Sequence, residues 1–208
     1  MGVLVGWIDG AVPGTGDWRP VSAFGKTLAV ILVSRYDDPP AASPVRYDEV
    51  IFGVLLRRGL RFVSCPMTML LDEPRPVSDG VVHYSLPKVL DPSLVVSLGE
   101  SAPLHAEGDA LAIDAVPRGP LGRLLAAVPG AIFGVGIRVV TAVVPAVGVA
   151  YQPHRSAVVA LRPRGRGRPF EARRVRVRVG ARSTDVHVVW GQVYDRCSTW
   201  LGPPSDFA

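Results

Sequence analysis

At 208 residues, 48% hydrophobic and only 20% charged, the chain can bury the core of one folded domain and is not a disordered sequence. Its net charge of +5 comes mainly from arginines in the last third, and its two cysteines, Cys65 and Cys197, lie far apart with no metal-ligand spacing. They read as buried thiols of a reducing compartment, which places the protein in the cytoplasm, and the first residues lack the basic and apolar segments of a secretion signal.

The 22 glycines and 20 prolines cut the chain into short elements joined by turns, and the valine-rich segments between them favour sheet. Residues 2–8 read as a strand and 10–20 as a loop. Phe24-Gly25-Lys26-Thr27 has the ending of a phosphate-binding loop. Pro20, however, stands where that motif needs its first glycine, and 28–33 reads as a strand where it needs a helix. Lys26 is therefore read as a turn residue. Strands follow over 28–35, 47–57 and 60–71, separated by a turn with three prolines over 37–44 and by Arg57-Arg58-Gly59. Such closely spaced strands belong to an antiparallel sheet that closes or packs on itself. A helical turn is read over 76–85, with Ser78 as its cap. Strands are read over 94–98 and 105–116. Leu121, Leu124, Leu125 and Val128 have helical spacing, so 120–128 is the best helix candidate. The longest apolar run, 131–150, contains Arg138 and Pro145 and is rich in β-branched residues. It reads as two buried strands joined by a turn, in preference to a membrane helix.

Arg174, Arg176 and Arg178 alternate with Val175, Val177 and Val179, which puts arginine on one strand face and valine on the other. The plain reading is a solvated face over a core. An acidic partner, a subunit interface and nucleic acid are the functional alternatives, and Phe170 as the lone nearby aromatic makes nucleic acid the weakest of them. A last strand is read over 185–190. There is no Cys/His cluster for zinc and no Gly-x-Ser-x-Gly of a hydrolase. His83, His105, His154 and His187 are scattered.

One residue stands apart. Of the 23 lysines and arginines only Lys26 and Lys88 are lysines, and Lys88 follows a proline among apolar residues. A lysine, unlike an arginine, can lose its proton, attack a carbonyl and form a Schiff base. Around Lys88 the chain resembles the acetoacetate decarboxylase family. The resemblance rests on Tyr47-Asp48-Glu49, Leu71-Asp72-Glu73-Pro74, and Gly80 with Pro87-Lys88, in the family's order and spacing. A fainter match continues through 110–116 to Val186-His187 and Trp190-Gly191. It covers roughly 28–195, leaving 1–27 as an N-terminal extension and 196–208 as a C-terminal tail.

The resemblance implies a mainly β fold (β-rich α+β): an antiparallel cone or barrel-like sheet with a few short helices, enclosing an apolar pocket. It implies a homo-oligomer without metal or bound cofactor, acting away from membranes on a small β-keto acid or ketone. Lys88 matches the Schiff-base lysine and Glu49 an active-site glutamate. His83, five residues before Lys88, is a candidate to line the same pocket. Tyr84, Leu86, Val89 and Leu90 are candidates to desolvate the amine, which at an ordinary pKa of about 10.4 is almost entirely protonated at neutral pH. Where the family has a second lysine directly after the reactive one, this chain has Val89. Arg46, with Arg19 and Arg35 as alternatives, is the candidate to hold a substrate carboxylate. Decarboxylation and other imine-based lyase chemistry are both compatible with these residues. The competing readings are a non-catalytic barrel that binds a small apolar ligand, and an Arg-strand module for nucleic acid or acidic partners.

Overall fold

Runs of β-branched residues make strands. The computed structural model describes residues 1–14, 16–36, 46–59, 61–84, 86–98, 103–117, 139–140, 155–156, 159–164, 168–179, 181–194, 196–201 and 205–206. The first half contains β1 (Gly2–Asp9), β2 (Arg19–Pro20), β3 (Ser22–Ala23), β4 (Lys26–Tyr36), β5 (Tyr47–Arg58) and β6 (Arg61–Leu71), then helix α1 (Pro74–Tyr84), β7 (Lys88–Leu90) and β8 (Val95–Leu98). The second half contains β9 (Leu104–Gly108), β10 (Leu111–Pro117), β11 (Val139–Val140), β12 (Arg155–Ser156), β13 (Val159–Arg164), β14 (Arg168–Val179), β15 (Arg182–Asp185), β16 (His187–Val193), β17 (Arg196–Leu201) and β18 (Ser205–Asp206).

The main sheet runs β7-β6-β5-β4-β1-β16-β14-β10-β9-β8, with β2, β3 and β15 attached to β5, β4 and β14. Among the described residues its pairings are antiparallel except β6 with β7, which run parallel. The fold is mainly β, as expected, and α1 is the one helix among the described residues. β11-β13-β17 and β12-β18 form two small further sheets.

The sheet curls into a half-barrel, and an ionic clasp ties its last strand back to its middle. Arg35 on β4 grips Asp48 on β5 through two hydrogen bonds of 2.9 and 3.0 Å. Asp48 Oδ2 accepts the Val96 N–H of β8 at 2.9 Å, and Arg35 also donates to the Val96 carbonyl. Inside the curl lies the principal core, with Leu4, Ile31, Val33, Val50, Phe52, Leu70, Val96, Leu104, Ile113, Phe170 and Val177 among its members. The opposite face of β1, β4, β5 and β6 is also apolar, built from Val3, Val5, Val30, Leu32 and Trp190 and from Met69, Leu71 and Leu86. Strand alternation separates the two faces. A register shift between Phe52 and Gly53 on β5 lets β6 change which residues it turns inward, so Cys65 and Leu70 both meet the principal core.

The Asp48 N–H donates to Asp72 Oδ1 at 2.8 Å. Burial, with added repulsion from Asp48, pushes the Asp72 carboxyl above its ordinary value, although the Asp48 N–H pulls the other way. A carboxyl raised in the folded state binds its proton more tightly there than when unfolded. Its contribution is fully present below the unfolded value and is lost as pH rises through the folded value. Asp72→Asn keeps the acceptor and removes the charge. Thermal unfolding followed against pH is expected to show the variant melting above the wild type at neutral pH, with the gap closing in acid.

Several elements differ from the sequence reading, each for a physical reason. β1, which falls in the expected N-terminal extension, pairs with β4 on one side and β16 on the other and lies inside the sheet. Residues 105–116 are not one strand but the hairpin β9–β10, turning at Asp109-Ala110. α1 begins at Pro74 and not at 76, because Pro74 and Pro76 fall in the first turn, where the missing N–H groups have no partner to lose. Residues 196–201, assigned to a tail, pair as β17 with β13. Gly25 has φ +74 in the β3–β4 hairpin, and Lys26 pairs with Asp9 at 3.3 Å. Val175 and Val177 are buried and Arg176 and Arg178 exposed, with Arg176 bonded to Asp185 at 2.7 Å. The turn at 37–44, the helix at 120–128, most of the 131–150 run and His154 lie outside the described residues. No helix of the described residues is long and apolar enough to cross a membrane.

Candidate active site

Four strands and the helix build one buried ionic site on the sheet face opposite the principal core. On β5, Asp48 turns inward to its clasp, so its neighbour Glu49 takes the other face with Tyr47 and Ile51. Across the ladders Glu49 stands opposite Ser34 on β4 and Leu71 on β6. Lys88 opens β7 opposite Met69. β7 is fixed at both ends, by the Met69 N–H on the Pro87 carbonyl at 2.9 Å and the Asp91 N–H on the Leu71 carbonyl at 2.7 Å. Lys88 and Glu49 are thus diagonal neighbours across β6.

Lys88 Nζ lies 3.3 Å from Glu49 Oε1, and the two side chains keep 11% and 5% of their exposure. Oε1 makes no aligned hydrogen bond, so the contact is ionic. Glu49 Oε2 accepts the Tyr36 hydroxyl at 3.2 Å. The Tyr36 ring stacks on Tyr47, with centroids 4.4 Å apart and planes at 19°. Burial, and secondarily the Glu49 charge, push the Tyr47 phenol well up, so it stays protonated. Met69, Leu71 and Leu86, with Tyr47, Ile51 and Val77 against them, form the apolar surroundings. An ammonium beside a carboxylate in such a setting can exchange a proton with it and, once neutral, act as a nucleophile.

α1 supplies one further condition. A Cβ built on Gly80 would stand 2.6 Å from Lys88 Cε and closer still to Cδ. The lysine stem crosses the helix where the helix has no side chain. An alanine there favours the helix by up to about 1 kcal/mol and displaces the lysine. Gly80→Ala is expected to melt within a few degrees of the wild type while losing most of the reactivity of Lys88 toward carbonyl compounds, measured by reductive trapping.

The structure brings Lys88 and Glu49 together and places the other expected residues apart or leaves them undescribed. His83 and Tyr84 close α1, three and four residues after Gly80, and their side chains lie outside the described residues. Arg46 is exposed just ahead of β5. Arg35 is held by Asp48 on the other face. Among the residues expected to desolvate the amine, Leu86 is buried, whereas Val89 and Leu90 are 50% and 41% exposed. Tyr36, Met69 and Leu71 were not anticipated. Tyr36 could have been found by continuing the alternation of β4 two residues beyond Ser34. Asp91, just after β7, holds its own turn by accepting the Ser93 hydroxyl at 2.6 Å. No group of three or more His, Cys, Asp or Glu side chains is arranged for a metal among the described residues.

No protein-family model matches the chain, and neither does any curated protein. Solved structures do. The chain is similar to an acetoacetate decarboxylase from Legionella pneumophila, with TM-score 0.54 and 11% identity over 98% of this chain and 85% of that one. It is similar to an acetoacetate decarboxylase-like enzyme from Sphingomonas wittichii RW1, with TM-score 0.53 and 14% identity over 99% and 90%. A further acetoacetate decarboxylase structure gives TM-score 0.50 and 10% identity over 96% and 86%. The fold is acetoacetate decarboxylase-like.

Proposed function

We propose that Lys88 forms a Schiff base with the carbonyl group of a small β-keto acid or ketone, with decarboxylation of the keto acid as the favoured outcome. The observation that carries this reading is the 3.3 Å contact between Lys88 Nζ and Glu49 Oε1 in an apolar setting with little exposure. The acetoacetate decarboxylase-like fold supports it.

An ammonium is no nucleophile. Glu49 takes one proton from it, and the nitrogen lone pair attacks the carbonyl carbon. The π pair moves to oxygen, which receives the proton back from Glu49. A second proton transfer from nitrogen to the hydroxyl lets water leave, and the product is a protonated imine. In a β-keto acid the bond to the carboxylate then breaks. Its electron pair flows into the iminium to give an enamine, and CO2 departs. Protonation at carbon and addition of water release the ketone and return the amine. Under this proposal the side chains supply the chemistry without a metal or bound cofactor, in a cytoplasmic homo-oligomer.

The test is incubation with acetoacetate, acetopyruvate and a panel of simple ketones, followed by borohydride and whole-protein mass measurement. A substrate-dependent mass increase that Lys88→Ala abolishes is expected. A folded protein that gains no mass from any of them would leave Lys88 and Glu49 as an ion pair that merely fastens β7 beneath α1.

A further inference from the structure

We infer that Tyr36 is a positioning residue that fixes which oxygen of Glu49 receives the proton from Lys88. This rests on the proposal that Lys88 is the nucleophile and Glu49 its base. The two carboxylate oxygens have different environments. Oε2 is held by the Tyr36 hydroxyl at 3.2 Å. Oε1 faces Lys88 Nζ at 3.3 Å and accepts no aligned hydrogen bond. One oxygen is therefore an anchor and the other is left to accept.

Tyr36 is itself well placed to be an anchor. It ends β4 directly opposite Tyr47 in the β4–β5 ladder, and the stacking of the two rings fixes the direction of the phenol. Glu49 is fixed at its backbone by the β4 and β6 ladders on either side. The hydroxyl then removes the remaining freedom, rotation of the carboxylate about its last torsion, which is otherwise broad. The Tyr36 hydroxyl bonds Oε2 of Glu49, the oxygen other than the one that faces Lys88. It acts through Glu49.

Tyr36→Phe keeps the ring and removes only the donor. The readout is the rate of borohydride-trapped adduct formation at Lys88, with acetoacetate as probe at a series of concentrations. The maximal rate of the variant is expected to fall roughly ten- to a hundredfold, the scale on which small misplacements of a catalytic group act. The half-saturating concentration should stay where it is. In a Glu49→Gln background, where there is no base to aim, the same change should produce no further fall. An equal fall in both backgrounds, or a rise in the half-saturating concentration alone, overturns the inference. So does loss of the folded circular dichroism spectrum in Tyr36→Phe, which would make the residue structural. A wild type that traps and a Tyr36→Phe variant that traps equally fast remove Tyr36 and leave Lys88 standing. A wild type that never traps removes both.

Discussion

Lys88→Met is expected to destabilise the protein by about 3–5 kcal/mol, the range for removing one partner of a buried ion pair. Methionine replaces the stem of the lysine and leaves the Glu49 carboxylate uncompensated. Glu49 is 4% exposed, and with the ammonium gone its described support reduces to the Tyr36 hydroxyl on Oε2. Adding Glu49→Gln removes the stranded charge, so the double variant should recover most of the loss. Urea denaturation of the wild type, both single variants and the double variant measures this directly. A double variant no more stable than Lys88→Met would mean that the two side chains do not share their burial.

The second large effect separates two adjacent acids. Asp48→Ala strips the carboxylate from the clasp, so the Arg35 guanidinium loses its counter-charge and the Val96 N–H its acceptor. It is expected to lose about 1–3 kcal/mol of stability, the cost of a buried N–H left unsatisfied at Val96, the Arg35 guanidinium being half-exposed, while the Lys88 site on the opposite face keeps its arrangement. Glu49→Gln is expected instead to strike the rate, beyond whatever stability it loses by leaving the Lys88 ammonium without its carboxylate. The amide fits the same space beneath α1, but it cannot take a proton. Formation of the trapped adduct should slow by roughly 10²–10⁴-fold, the usual contribution of a positioned acid or base. Urea midpoints together with trapping rates for both variants check the pair. Equal rate losses in the two would mean that both act only through the fold.

Much of this division was legible in Tyr47-Asp48-Glu49, because strand periodicity alone sends adjacent residues to opposite faces. The valine runs and turn residues likewise marked most strands of the main sheet, and the contrast of two lysines among many arginines marked Lys88. The side of the sheet on which Lys88 acts was not legible. A barrel suggests a site in its interior, yet Glu49 and Lys88 lie on the other face beneath α1. That depends on the β6–β7 register and the shift at Phe52/Gly53, which are long-range pairings with no local signature. The central place of β1 was hidden for the same reason, since its partners are far away in sequence. Gly80 was visible as a landmark, but its purpose as clearance for a lysine stem appears only once helix and strand are packed. Arg35 looked as eligible as Arg46 to hold a substrate carboxylate until the clasp showed its commitment to Asp48.

The most direct measurement is a peptide map of the protein after acetoacetate and borohydride. The chain contains only two side-chain amines, Lys26 and Lys88. Lys26 is 42% exposed and pairs with Asp9, so it reports on ordinary amine reactivity in the same digest. Schiff-base chemistry at the buried pair predicts that the added mass lies on the peptide containing Lys88 and not on the one containing Lys26. Labelling of Lys26 to an equal or greater extent, or no labelling of either, would contradict it.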